Sequence, residues 1–222
     1  MAMADRDLAN AVVAVVGATG GLGTEVVEVL TGRGARVVRA GRSGAIDVEV
    51  DVRDNTAGDV LVDHCVSLHG RLDGVIVAAG IVAFGDLVDT DDVVMEELFL
   101  TNALGPMWLA KRVAPALRDT QGFFVNISGV VAESPMPGMA AYSASKAAAA
   151  AAMESIRREF RRAKVQVLDA RPPHTETGLA TRPLAGAAPQ MPVGLAPRFV
   201  AERIVVAVER GEAIVASSAF SS

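Results

Sequence analysis

The sequence predicts a doubly wound α/β fold on three observations. Short, almost wholly apolar runs rich in valine recur along the chain, longer helical stretches alternate with them, and a glycine cluster sits where the first run ends. Runs that are apolar nearly throughout are the pattern of a sheet covered on both faces. Alternation at this spacing implies right-handed crossovers between parallel strands. A mixed α+β arrangement is the alternative that pattern alone leaves open.

The predicted strands are AVVAVV (11–16), RVVRA (36–40), IDVEV (46–50), GVIVA (74–78), FFVNI (123–127), VQVLD (165–169) and AIVA (213–216), about seven in all. Helices are expected at 22–33, 56–68, 91–118 with a break, 140–163 and 197–210. A chain of 222 residues fits one large domain, big enough to bury its core without disulfides or a metal. Hydrophobic residues at 51% and charged residues at 21% exclude intrinsic disorder. A net charge of −5 with no long basic run argues against nucleic acid as a partner. Cys65 is the single cysteine, which excludes an internal disulfide framework and fits a reducing compartment. The start, MAMADRDLAN, is acidic before its first apolar run, and that run is too short to cross a membrane. A soluble, cytoplasmic protein is the expectation.

Residues 171–197 interrupt the rhythm. They hold six of the ten prolines and show no periodicity. Loops of this length inside a domain usually cover a binding site, although a plain connector would read the same way.

The glycine cluster, GATGGLG at 17–23, follows the first strand and opens the first helix. Gly17, Gly21 and Gly23 leave no Cβ where the backbone must turn and a pyrophosphate must approach, with Thr19 and Leu22 between them. The helix start adds free N–H groups and a positive dipole end. At the end of the second strand, where an acidic residue would bind a ribose 2′-hydroxyl, the chain has Gly41 and Arg42. A guanidinium suits a 2′-phosphate, so NADP(H) is favoured over NAD(H). A merely solvated arginine is the plain alternative.

The chain has one tyrosine and three lysines, and Lys146 follows Tyr142 by four residues in AYSASKAAAAAAMESIRREF. On a helix the two share a face. The expectation is that the ammonium lowers the phenol pKa from about 10 toward neutrality, making Tyr142 a general acid or base.

With these residues on the page, the chain resembles a short-chain dehydrogenase/reductase over essentially its whole length. The resemblance is carried by Gly17, Gly21 and Gly23, DVRD (51–54), VAAG (77–80), Asn102 in LTNALG, NISG (126–129), YSASK (142–146) and RPPHTET (171–177). It implies a Rossmann-type sheet and hydride transfer between a nicotinamide dinucleotide and a small carbonyl or secondary alcohol. Tyr142 would protonate the substrate oxygen and Lys146 would bind the nicotinamide ribose. Asn102 would sit at a helix kink and hold a water that links the lysine to solvent. Asp51 and Val52 would meet the adenine, and Ala78, Ala79 and Gly80 would pass beneath the adenosine ribose. Pro172 leads into Thr175 and Thr177, which would contact the carboxamide and phosphates. Association as a homodimer or homotetramer through 104–118 and 140–163 is likewise implied by the resemblance.

The chain departs from the family pattern where a serine usually lies thirteen residues before the tyrosine. That position is Gly129, and Ser128 is its neighbour. Either Ser128 moves into the catalytic role or the donor is missing. Val16, Ala78 and Pro173 also differ from the usual threonine, asparagine and glycine, and Gly20 stands where NADP-preferring members often carry a basic residue. The prolines and small residues of 171–197, with Phe84, Val131, Met136 and Met139, are the expected pocket lining. A catalytically silent NAD(P)-binding sensor or scaffold remains the competing reading, kept open by Gly129.

Overall fold

The structure, a computed structural model, describes residues 5–220. Seven parallel strands form one sheet in the order β3-β2-β1-β4-β5-β6-β7. The strands are β1 (Val12–Val16), β2 (Arg36–Gly41), β3 (Val48–Glu49), β4 (Gly74–Val77), β5 (Phe123–Ile127), β6 (Gln166–Ala170) and β7 (Ile214–Val215). The helices are α1 (Gly21–Gly32), α2 (Ala57–His69), α3 (Asp92–Phe99), α4 (Gly105–Thr120), α5 (Ala140–Phe160) and α6 (Pro197–Glu209).

The two faces of the sheet follow from alternation along the apolar strands. Val12, Ala14 and Val16 face one layer with Leu61 and Cys65 of α2, Leu109 and Val113 of α4, and Met153 of α5. Val13 and Val15 face the other, with Val26 and Leu30 of α1 and Ile204 and Val208 of α6. Both sides are therefore dry, which is why β1 reads as an unbroken apolar run. The chain winds outward from β1 to β3, then returns to place β4 on β1's other side. The carboxyl ends of β1 and β4 thus flank the crevice where doubly wound sheets bind ligands.

Two differences from the sequence expectation have local causes. β3 shrinks from 46–50 to Val48–Glu49 because Asp47 turns to Arg39, accepting from its backbone N–H at 2.8 Å and from its guanidinium at 2.7 Å. The expected break in 91–118 is a π-helical turn, Leu100–Leu104, between α3 and α4. Pro106, the second residue of α4, has no N–H to return to the carbonyl of Asn102 four residues earlier, so the α-helical ladder cannot close there. Among the described residues no helix is long and apolar enough to cross a membrane, and no group of potential ligands is placed to hold a metal ion.

Candidate active site

The glycine turn is locked by backbone contacts. Gly17 has φ +85°, and a Cβ there would lie 2.6 Å from the backbone nitrogen of Ala79 after β4. A Cβ on Gly23 would lie 2.0 Å from the Gly17 carbonyl oxygen, so the turn is wound onto itself. Gly21 is exposed, yet a Cβ there would stand only 2.4 Å from the Thr177 carbonyl oxygen. The loop after β6 therefore lies against the turn at this residue. Thr19 is exposed and its hydroxyl donates to the Ser43 carbonyl at 3.4 Å, tying the turn to the end of β2, while Leu22 is partly buried against the α1 and α6 layer.

Arg42 is exposed just past β2 and has no ion-pair partner among the described residues. Its charge acts on Asp51, so the two lie near one another where an adenosine would end. The Asp51 carboxylate is gripped by Arg53, with contacts from 2.7 to 3.1 Å, and Arg53 continues to Glu97 at 3.1 Å. Those hydrogen bonds hold the Asp51 carboxyl below its usual range. Val52 is buried beside it. Ala78 donates its backbone N–H to Val16 at 2.8 Å, and Ala78, Ala79 and Gly80 are partly exposed past β4.

Tyr142 and Lys146 lie one turn apart on α5, and both are buried, at 9% and 6% exposure. Lys146 Nζ donates to the Ile127 carbonyl at the end of β5 at 2.9 Å. The Tyr142 hydroxyl has no protein partner among the described residues. Tyr142 belongs to one apolar cluster with Val82, Phe84, Leu98, Val131 and Met139, against which Leu179, Ala180 and Ala185 pack from the loop after β6. Met136 lies apart, 47% exposed.

Asn102 sits in the π-turn with its amide bonded to the Ile81 backbone and to Ser145. Its Oδ1 accepts from Ile81 N–H at 3.0 Å, while Nδ2 donates to the Ile81 carbonyl at 2.9 Å and to Ser145 Oγ at 3.1 Å. Ser145 donates in turn to the Tyr142 carbonyl at 2.7 Å, so the π-turn fixes α5 at the turn that carries Tyr142. A Cβ on Gly80 would lie 3.3 Å from both Asn102 Oδ1 and Lys146 Nζ. The missing side chain keeps open a polar gap between an acceptor and an ammonium.

Two expectations are corrected. Burial pushes the Tyr142 phenol up to about 12, whereas the sequence reading had the ammonium lowering it. In a site this dry the cost of desolvating a phenolate dominates. Burial also brings Lys146 down to about 8, with Asp169 opposing the shift. The second correction is Ser128. It is 1% exposed, and its hydroxyl proton goes to Asp169 Oδ2 at 2.9 Å, not toward a substrate. Gly129 takes φ +89°, a conformation L side chains rarely adopt, so a serine at that position would be strained.

Sequence reasoning missed Asp169. It is 2% exposed on β6, held by Asn126 Nδ2 at 3.1 Å, Ser128 Oγ and Arg171 Nε at 2.8 Å. The available signal was a carboxylate inside an apolar strand, VQVLDA.

The loop from Arg171 closes on itself and on the site. Pro172 is buried and its carbonyl accepts from Val130 N–H at 2.9 Å. Thr175 bonds the Pro173 carbonyl at 2.9 Å and pairs with Leu195, and Thr177 N–H donates to Thr175 at 2.7 Å. Leu184 N–H to Val82 and Ala185 carbonyl from Phe84 N–H, at 2.8 and 3.0 Å, fasten it over the end of β4. A cavity of about 270 Å³ opens inside the loop, lined by His174, Glu176, Thr181, Met191 and Val193, and by Ala180, which also packs against the apolar cluster of Tyr142.

The residues present suit a dinucleotide: a turn with no side chain at its exposed glycine, a free guanidinium at its far end and a buried ammonium at the other. Comparison with known proteins agrees. The family model for short chain dehydrogenases matches residues 11–185. A dehydrogenase/reductase SDR family member 7B from Bos taurus is 32% identical over 194 residues, covering 77% of this chain and 60% of that protein. An 11-beta-hydroxysteroid dehydrogenase A from Sesamum indicum is 31% identical over 173 residues, covering 70% and 50%. The chain thus spans 60% or less of the length of these two relatives. A short-chain dehydrogenase from Burkholderia cenocepacia in complex with NADP superposes with a TM-score of 0.82 at 25% identity, covering 96% of this chain and 91% of that one. One from Streptomyces avermitilis gives the same TM-score of 0.82 at 25% identity, covering 94% and 88%. Sheet order, glycine turn, π-turn and Tyr–Lys helix converge with the sequence match on one assignment: this chain belongs to the short-chain dehydrogenase/reductase family.

Proposed function

We propose that the chain is an NADP(H)-dependent oxidoreductase that reduces a largely apolar carbonyl compound to the alcohol. The observation that carries this reading is the pair on α5: a buried phenol whose hydroxyl has no partner among the described residues, one turn from a buried ammonium. Bound in the cleft, NADP(H) would supply or accept a hydride at C4 of its nicotinamide. Tyr142 holds its proton well above neutral pH and donates it to the developing alkoxide. Either direction passes through a phenolate, which burial opposes and the neighbouring ammonium would stabilise. One of the three Lys146 donors goes to Ile127, leaving two for ribose hydroxyls. Lys146 loses its proton near pH 8, so the rate falls as pH rises through that value.

With no side chain at 129 and Ser128 bound to Asp169, Tyr142 is the one side-chain donor we assign to the substrate oxygen. The apolar surround of Val82, Phe84, Leu98 and Met139 supports an apolar substrate. Arg42, exposed just past β2 with no ion-pair partner among the described residues, supports NADP over NAD because a guanidinium suits a 2′-phosphate. We assign the loop 171–197 as the substrate cover, on its packing against the Tyr142 cluster. Assembly as a homo-oligomer through 104–118 and 140–163 is supported by exposed Leu104 and Met107, and sedimentation would test it.

Gly129 and the engaged Ser128 favour one second reading, a silent dinucleotide binder. NADPH oxidation followed at 340 nm with a panel of apolar ketones and aldehydes separates the two. Turnover that disappears in Tyr142→Phe is the expected result. NADPH binding without turnover of any carbonyl would overturn the enzymatic reading.

A further inference from the structure

The buried polar cluster where β5 and β6 end has no role in the chemistry described so far. At its centre is the Asp169 carboxylate. It lies opposite Asn126 in the parallel register, on the face covered by α5. Asn126, Ser128 and Arg171 donate to it at 2.8 to 3.1 Å, and Arg171 continues to Glu133 at 3.2 Å. Glu133 accepts from Ser217 at 2.7 Å. Packing alone does not ask for a carboxylate here, since Val167 fills the same face two residues earlier.

Lys146 reaches the same strand end. Its Nζ donates to the carbonyl of Ile127, the residue between Asn126 and Ser128. Around that ammonium, α5 contributes Tyr142, the π-turn contributes the neutral Asn102, β4 ends in the Gly80 backbone, and β5 offers a carbonyl. Asp169, from β6, is the charged side chain that acts on it. Arg171 and Glu133 lie beyond Asp169, on the side toward solvent.

We propose that Asp169 is a positioning residue, the buried counter-charge that keeps Lys146 an ammonium, with Asn126 and Ser128 holding the carboxylate in place. The proposal rests on the reading of Lys146 as the working cation. It also explains Ser128: the hydroxyl nearest the missing serine serves the lysine indirectly and leaves the substrate oxygen to Tyr142. Without a counter-charge, burial would release the Lys146 proton at lower pH, and the ribose contact would lose its charge.

The chain has three lysines, of which Lys111 and Lys164 are exposed, so protein labelled with ¹³C at lysine Cε gives three signals. Lys111→Arg and Lys164→Arg assign them. The Lys146 signal should titrate near 8 in the parent protein and about one unit lower in Asp169→Asn. Asp169→Glu, which keeps the charge, should restore most of the difference. Asp169→Ser replaces the amide variant if that one does not fold, and Trp108 fluorescence checks folding of each. A Lys146 midpoint that stays put, or that rises in the neutral variants because packing has loosened, overturns the proposal. The titration needs no turnover, so it decides even if no carbonyl is reduced. Where there is turnover, the basic limb of the pH–rate profile should move with the lysine.

Discussion

Two strand ends on the same edge of the sheet are built on opposite principles. The end of β1 works by lacking side chains: Gly17, Gly21 and Gly23 let backbone pass backbone at distances no Cβ allows. The ends of β5 and β6 work by side chains that satisfy one another: Asn126, Ser128 and Arg171 converge on Asp169. The first leaves space for a ligand. The second sets the charge of a residue that would touch it. Removing atoms is the way to damage the second region, and adding them is the way to damage the first.

The largest effect should come from the helix both regions serve. Tyr142→Phe should lower kcat by about 10³-fold, within the range for a lost general acid, while the NADPH dissociation constant from fluorescence titration stays within about twofold. At the glycine end, Gly17→Ala forces a side chain onto φ +85° and against Ala79. Urea unfolding should show a loss of about 2 kcal/mol or more. Gly21→Ala would set its Cβ 2.4 to 2.9 Å from the Thr177 backbone, so the urea midpoint should fall there as well.

Smaller effects sharpen the contrast. Arg42→Ala should weaken NADP binding about tenfold, the scale of a lost charge-assisted hydrogen bond, and leave NAD binding unchanged in calorimetric titrations. Ser128→Ala should lower stability by about 1–3 kcal/mol, because a buried carboxylate loses a donor. Its kcat should stay within about threefold of the parent value, as no step from substrate oxygen passes through that hydroxyl.

The same contrast explains what could be read in the sequence. Tyr142 and Lys146 are four residues apart, and helix geometry alone puts them together. The glycine turn and the apolar strands are also local patterns, and the sheet and its helices follow within a few residues of expectation. Ser128 and Asp169 are 41 residues apart and meet only because β5 and β6 are neighbours. Their bond is invisible until the register is known, so the sequence left open whether Ser128 serves a substrate or the donor is missing. The phenol pKa was misjudged for a related reason. The ammonium was evident from spacing, but the burial that raises the phenol comes from tertiary packing that no local pattern shows. The π-turn at Asn102 was legible only as a break.

Tyr142 is the sole tyrosine, so absorbance at 295 nm reports its ionisation alone. Its raised pKa contributes stability that is complete below the unfolded value of about 10 and is lost as pH rises toward 12. The titration should give a midpoint near 12 in the free protein and a clearly lower one with NADP⁺ bound, whose nicotinamide ring carries a positive charge. A midpoint near the ordinary value of about 10, unmoved by NADP⁺, would mean that the phenol is neither enclosed nor beside the nucleotide, and would contradict the active site described for this chain.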